Sequence, residues 1–316
     1  MKKFFMALVS ALLAATLAIS FAACSQGSRV KVIDVMLAGE QYGYCIDQDN
    51  TDLMAAVNEL IEDLCGSDPY NAEAPVTDVA GVQYDLNGDG TAETVNFDTL
   101  YKAFTEGSTT YNVTDVYTSV PSDKTRDDCL IVATNAEFEP FEFMNGNNFT
   151  GIDMHIAKML AEKLNKTLVI RNMDFEVVIT DVETGTSDIG MAGLTINKSR
   201  EEVVTFSNGY YTTSQYLAVA ESDTRFDDCK TEEDVKAVIN GLGNVAAGAA
   251  TGQTGYFYLE GDAGFGYEGF DQLNVQDFES VALAVQNLSN GRVELVVADG
   301  DTLRSAVNAI NERLAA

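Results

Sequence analysis

From Cys129 onward the spacing of apolar residues keeps switching between two and nearly four, and that alternation constrains the fold more than any other feature of the chain. "CLIVATN" is a short apolar strand and "KTLVIRN" is the next. Between them, "GIDMHIAKMLAEKLN" is a helix in which Ile152, Ile156, Leu160 and Leu164 recur every four residues. "VVITDVETG" reads as a helix ending at Gly185, "SDIGMAG" as a strand and "KSREEVVTF" as a short helix. A second set follows: strand "NVAAGAA", a Gly-rich turn entering the helix of "TGQTGYFYLE", helix "ESVALAVQNLSNG", strand "RVELVVAD" and a final amphipathic helix. Repeated strand–helix units build mainly parallel sheets flanked by helices, so two α/β lobes are expected. The second appears one strand short.

The missing strand has a candidate at the front. "VKVIDVML" and "AGEQYGYCI" read as strands, and in "NTDLMAAVNELIEDL" the residues Leu53, Val57, Leu60, Ile61 and Leu64 share one helix face. Residues 66–126 are polar and irregular and read as a surface insertion plus linker. Within them Asp85, Asn87, Asp89 and Glu93 are spaced like a Ca²⁺ loop, but Asn96 stands where a bidentate Glu belongs, which favours a plain polar turn. Ahead of all this, Lys2 and Lys3 precede the apolar run "FFMALVSALLAATLAIS" and the "FAAC" that ends at Cys24. This is a secretory signal with a cysteine at its cleavage point. Ordinary cleavage beside an incidental cysteine is the alternative.

Acidic residues number 49 against 19 basic ones, a net charge of −30 that repels phosphate backbones and anionic lipid headgroups. Nucleic acid is therefore excluded as a partner. Cys45, Cys65, Cys129 and Cys229 contain no C-x-x-C pair and the chain has a single histidine, so neither zinc nor any other metal is expected. Disulfides and buried free thiols both stay open for these four. His155 is assigned to the polar side of its helix, in solvent, and one exposed histidine supports no catalytic triad.

Taken in order, "NAEFEPFEF" (135–143), "FTGIDMHIAKMLAEKL", "MDF", "GTSDIGMAGLTINKSREEVVTFSNGYYTTSQYLAV", "ATGQTGYFYL" and "NGRVELVVAD" resemble the type 3 solute-binding proteins that serve amino-acid ABC importers. The start of the chain likewise resembles a bacterial lipobox, with Cys24 the lipidated residue. The resemblance implies a two-lobed flytrap of the periplasmic-binding-protein type and no cofactor. It also implies an extracytoplasmic location with a lipid anchor in the cell membrane, and an ABC permease as partner. In that family the segment resembling residues 30–65 lies at the C-terminal end, so a circular permutation is inferred; a fortuitous N-terminal extension is the rival. The expected organisation is a signal peptide over 1–23, a tether over 24–29, the last strand of lobe two over 30–37 and a segment returning to lobe one over 38–65. After the insertion, 127–218 forms most of lobe one and 219–316 most of lobe two.

The resemblance also assigns a site. A free amino acid offers a carboxylate and an ammonium, so its receptor needs a fixed cation, backbone donors and a fixed anion. Arg200 stands at the family's carboxylate-binding position, where a guanidinium grips both oxygens in a fork, with the Thr195 hydroxyl and the Gly193 backbone as partners. Neutralisation of Arg200 by Glu201 or Glu202 is the plainer reading. Asp299 ends a strand at the sheet's carboxyl edge and, by resemblance, accepts the ammonium; capping of the following helix by Asp299 or Asp301 is its alternative. Gln253 and Thr254 occupy the second lobe's ligand-contacting turn. Phe138 is expected to cover the ligand side chain, Phe141 to pack in the core, and Phe175 to be wall or core. The expected activity is capture of an L-amino acid for transport. An amino-acid sensor for a signalling partner and a dehydratase-like enzyme on the same fold are the rivals.

Overall fold

The computed structural model describes residues 27–66, 79–107 and 111–315. The signal segment and Cys24 lie outside the described residues, as does part of the insertion.

Lobe one is built on a six-stranded sheet. Its strands are β3 (Cys45–Ile46), β6 (Val116–Tyr117), β7 (Cys129–Thr134), β11 (Thr167–Asn172), β12 (Ile189–Gly190) and β13 (Thr205–Phe206), arranged β13-β3-β12-β7-β11-β6. The run β12-β7-β11-β6 is parallel, whereas β3 is antiparallel to both neighbours. Every residue of β7 is buried, as a parallel strand covered on both faces requires. A small three-stranded sheet of β8 (Glu137–Phe138), β9 (Glu142–Asn145) and β10 (Asn148–Thr150) follows β7.

The second lobe has strand order β1-β14-β17-β15-β16, from β1 (Val30–Ile33), β14 (Tyr211–Ala220), β15 (Ala246–Ala250), β16 (Asn274–Phe278) and β17 (Leu295–Asp299). Thus β1, from the front of the chain, joins the sheet that contains Leu295–Asp299, pairing antiparallel with β14 from Val30 opposite Ala220. The next strand, β2 (Gly39–Tyr42), pairs with the opposite end of β14. The chain then enters lobe one as β3. The other crossover, from β13 into β14, runs alongside in the opposite direction, and Tyr210 N donates to the Tyr42 carbonyl at 2.9 Å. Two adjacent antiparallel crossovers of this kind form a hinge, because the paired ends bend together while each lobe keeps its sheet.

Helices α1 (Thr51–Cys65), α2 (Phe97–Thr105), α3 (Ile152–Lys163), α4 (Phe175–Glu183) and the single turn α5 (Lys198–Glu201) belong to lobe one. Lobe two carries α6 (Glu232–Asn240), α7 (Thr254–Glu260), α8 (Val281–Ser289) and α9 (Gly300–Ala315). Helix α1 starts where the Asn50 side chain accepts from Leu53 N. It buries Leu53, Val57, Leu60, Ile61 and Leu64 against lobe one, each such side chain contributing about 1.5–3 kcal/mol.

Two expectations need correcting. The insertion is not merely a polar surface segment: β4 (Val82–Tyr84), β5 (Glu93–Val95), α2 and β6 fold onto lobe one, and Tyr84, Leu86, Val95, Leu100 and Val113 enter its core. In its turn the Asp85 carboxylate accepts from the N–H groups of Asp89 and Gly90. His155 is buried, not solvated, because the insertion covers that face of α3. Tyr84 Oη lies 2.9 Å from its Nδ1 and the Tyr111 carbonyl 3.0 Å from its Nε2, so a neutral ring accepts from the first and donates to the second. Burial holds it neutral, lowering its pKa to about 4. The cysteines Cys45, Cys65, Cys129 and Cys229 are free and buried.

Leu100 is fully buried, in a segment that sequence reading gave to an irregular surface insertion. Leu100→Ala is expected to lower the unfolding free energy by about 2–5 kcal/mol in urea titration. An insertion that folded apart from the core would leave the main transition unmoved.

Candidate functional site

Nearly every site candidate meets at the seam between the lobes. The Asn197 side chain caps α5 by accepting from Arg200 N, which turns the Arg200 side chain inward from the single helical turn. Arg200 is 9% exposed. Its Nη1 donates to the Thr195 carbonyl at 2.9 Å and its Nη2 to the Gly252 carbonyl of the other lobe at 3.2 Å. The guanidinium lies between two phenyl faces, Phe175 at 5.4 Å and Phe265 of lobe two at 5.3 Å. Among the described residues it forms no ion pair, so neutralisation by Glu201 or Glu202 does not occur. Burial pulls its pKa down to about 10, against an upward pull from Glu40, which leaves it charged at neutral pH.

Thr195 and Thr254 touch across the seam, their hydroxyls 2.8 Å apart. The Thr195 hydroxyl donates to Glu40, so Thr254 must be the donor in the contact between them. Asp299 is buried at the end of β17 and accepts from the Tyr42 hydroxyl. Its carboxyl is pushed well above the usual carboxylate range, first by burial and then by the neighbouring Glu40. Gln253 precedes α7 and is buried, with its Oε1 lacking a partner among the described residues.

Gly193 departs from expectation. Its φ of +54° turns its N–H inward, where it donates to the buried Asp153 carboxylate at 3.2 Å rather than toward the seam. A Cβ there would lie 2.7 Å from the Phe138 ring, so glycine serves close packing as well as the turn. Phe138 packs against Tyr42, Phe141 and Gly193, and Phe141 lies in the core as expected. Phe175 is half-buried and forms wall against Arg200.

Sequence reasoning missed Glu40, Tyr42, Gln215 and Phe265. Glu40 and Tyr42 are the two buried residues of β2, one pleat apart on one face, and Gln215 lies opposite Asp299 on β14. The alternation in "GEQY" was the available signal. Behind the seam sits a second acid cluster. Asp153 accepts from Tyr44 Oη at 3.1 Å and Tyr210 Oη at 2.9 Å, and burial raises its pKa to about 6. Glu142 beside it is fully buried, neither of its carboxyl oxygens has a hydrogen-bond partner among the described residues, and it is pushed well above its ordinary pKa by burial and by Asp153.

A family model described as bacterial extracellular solute-binding proteins, family 3, matches residues 130–316. The chain belongs to this family. Among its relatives, the arginine-binding extracellular protein ArtP of Bacillus subtilis (strain 168) is 34% identical over 101 residues, 32% of this chain and 39% of ArtP. A probable histidine-binding protein of Neisseria gonorrhoeae is 28% identical over 179 residues, 56% of this chain and 60% of that protein. The matches thus span less than two thirds of either relative. A mutant of ArgBP from T. maritima shares the fold at 30% identity and a TM-score of 0.50, with 58% of this chain and 73% of that chain covered. The family model begins at residue 130, so the front segment that completes both sheets lies outside the matched residues.

Asp153 gives a pH prediction. Its folded-state pKa exceeds its unfolded one, so its contribution is complete below about pH 4 and lost as pH rises through about 6. Urea unfolding from pH 4 to 7 should show stability falling, by at most about 3 kcal/mol from this residue, with most of the fall complete by about pH 6. Asp153→Asn should flatten that fall.

Proposed function

We propose that this protein captures an L-amino acid in the cleft between its lobes and presents it to an ABC importer outside the cytoplasm, tethered through a lipid on Cys24. One observation carries the reading: Arg200 is buried, charged and without a carboxylate partner among the described residues, beside a hydroxyl pair contributed by both lobes. A carboxylate from a ligand supplies the missing counter-charge. Asp299, on the other side of the seam, is the acceptor for the ammonium. The hinge of β2 and β14 opens the seam to admit the ligand, and closure returns Thr254 and the Gly252 carbonyl to lobe one, so a bound zwitterion favours the closed form. Relatives named for binding arginine and histidine support an amino acid as ligand.

The same proposal includes the circular permutation. Within it, residues 30–37 are the last strand of lobe two and residues 38–65 the return to lobe one; the pairing of β1 with β14 and of β3 with β12 supports this order. Binding without chemical conversion is the activity proposed. Turnover of a bound amino acid would instead favour the dehydratase-like reading.

The test is a thermal-shift screen against the common L-amino acids, since a ligand bound by the native state alone raises Tm. At least one should shift the wild type by several degrees. Arg200→Ala should keep its unliganded folded spectrum and lose the shift, with affinity down at least about 100-fold because a buried charge loses its partner. An unchanged shift in the variant would rule out the anchor.

A further inference from the structure

The insertion that folds onto lobe one also reaches the other lobe. Its helix α2 is fixed to lobe one by Leu100, which is fully buried in that core. From the next position on α2, the Tyr101 hydroxyl donates to Asp301 Oδ1, in the first turn of α9, at 3.2 Å. Among the described residues this phenol is the one hydrogen-bonding group of the insertion that reaches lobe two. Tyr211, the first residue of β14 at the hinge, donates to the other oxygen of the same carboxylate at 2.5 Å. The rings reinforce the contact. Tyr101 stacks on Tyr211 with centroids 5.7 Å and planes 28° apart, and Phe97, one turn earlier on α2, lies 5.7 Å from Tyr211. Tyr211 also meets Phe141 of lobe one at 5.0 Å and Tyr42 of β2 at 5.8 Å.

The link between the lobes is narrow. Beside it a crevice of about 440 Å³ runs between α2 and α9, lined by Phe104 and Pro140 on one side and by Arg304 and Asn308 on the other. A phenol tip therefore spans the gap, and at 3.2 Å it has little slack, so a small rotation about the hinge breaks it. Asp301 stands two residues after Asp299, where β17 passes into α9. Holding Asp301 against lobe one thus holds the strand end that carries Asp299 at the seam. Hydroxyls bond more strongly to a carboxylate than to a neutral acceptor. The link is made of the protein's own groups and uses none of Arg200, Thr195 and Thr254, so it forms in the closed seam with or without a ligand.

We propose that Tyr101 is a positioning residue: as a latch from the insertion to Asp301, it holds the lobes closed before ligand arrives, so that opening limits both ligand entry and ligand exit. This rests on the reading of the seam as an amino-acid site. Ligand enters only the open form, whose share the latch reduces, and leaves only through the same opening, which the latch opposes. Loss of the latch therefore raises both rates and changes Kd less than either. A residue that merely supported the fold would weaken binding without speeding association.

The test compares wild type with Tyr101→Phe, which keeps the ring stack and removes only the hydroxyl. Small-angle scattering of the ligand-free full chain should give a larger radius of gyration in the variant. The wild-type radius should change little on saturation with L-arginine or L-histidine, whereas that of the variant should contract. Stopped-flow mixing with whichever probe binds should show dissociation faster by about three- to tenfold and association faster by at least about twofold in the variant. An unchanged radius in the variant, a wild type that contracts on binding as far as the variant does, or faster dissociation without faster association overturns the latch and leaves the amino-acid site standing. If no common L-amino acid binds, the amino-acid reading falls, and the ligand-free scattering still decides the latch.

Discussion

A guanidinium buried without a carboxylate is the constraint around which the seam is organised. Taking such a charge out of water costs several kcal/mol, and two carbonyls with two phenyl faces return only part of it. The arrangement at Arg200 holds because the rest of the seam shares the load: Phe175 and the Thr195 carbonyl come from lobe one, Phe265 and the Gly252 carbonyl from lobe two. Opening the lobes would return Arg200 to water and separate both pairs. The same residue thus ties closure to charge, and a carboxylate arriving in the open state completes what the closed state lacks.

The topology delivers these groups to one place from distant parts of the chain. Strand β14 pairs with β1 and β17 at its far end and with β2 at its near end, so the front segment, the last strand and the crossover all meet along ten residues. Because β2 and the start of β14 form the hinge, a group on β2 stays at the seam whichever lobe moves. Glu40 has that position, which lets one side chain answer to Thr195 on one side and Gln215 on the other.

Much of this was legible in the sequence where period and composition act locally. The strands around β7, β11, β15 and β17 and the helices α1, α3, α8 and α9 stand where the apolar spacing put them, and the motif order identified the family. Strand β14 was not assigned: "YTTS" is polar where it pairs with β2, and only "YLAVA" looks like a buried strand. His155 and Leu100 were misplaced for one shared reason. In α2, Phe97, Leu100, Tyr101 and Phe104 recur at the helical i, i+3, i+4, i+7 spacing, but nothing local says that this face covers α3. Gly193 failed differently, since the aim of its N–H depends on Asp153, forty positions away, which no local pattern encodes. Glu40 was overlooked because an acid in a strand reads as solvent-facing unless its pleat partner is weighed with it.

That pleat partner links the two acid centres. Residues 40, 42 and 44 follow one another at two-residue spacing through the hinge. Glu40 helps push the Asp299 carboxyl above its usual range, Tyr42 donates to Asp299, and Tyr44 donates to Asp153 behind the seam. Asp153 in turn holds the Gly193 N–H, and Gly193 begins the turn that carries Thr195. Between the two tyrosines Gly43 passes so close to Ile196 that a Cβ would stand 2.8 Å from its side chain, so the returning strand lies tightly against the Thr195 turn. A shift of this short strand therefore cannot move the cleft acids alone: it displaces the phenol that serves the inner carboxylate and presses on the turn that faces Arg200. The hinge, the acid pair and the anchor share one rigid connection, which gives the charge state of the seam a mechanical path to the position of the lobes.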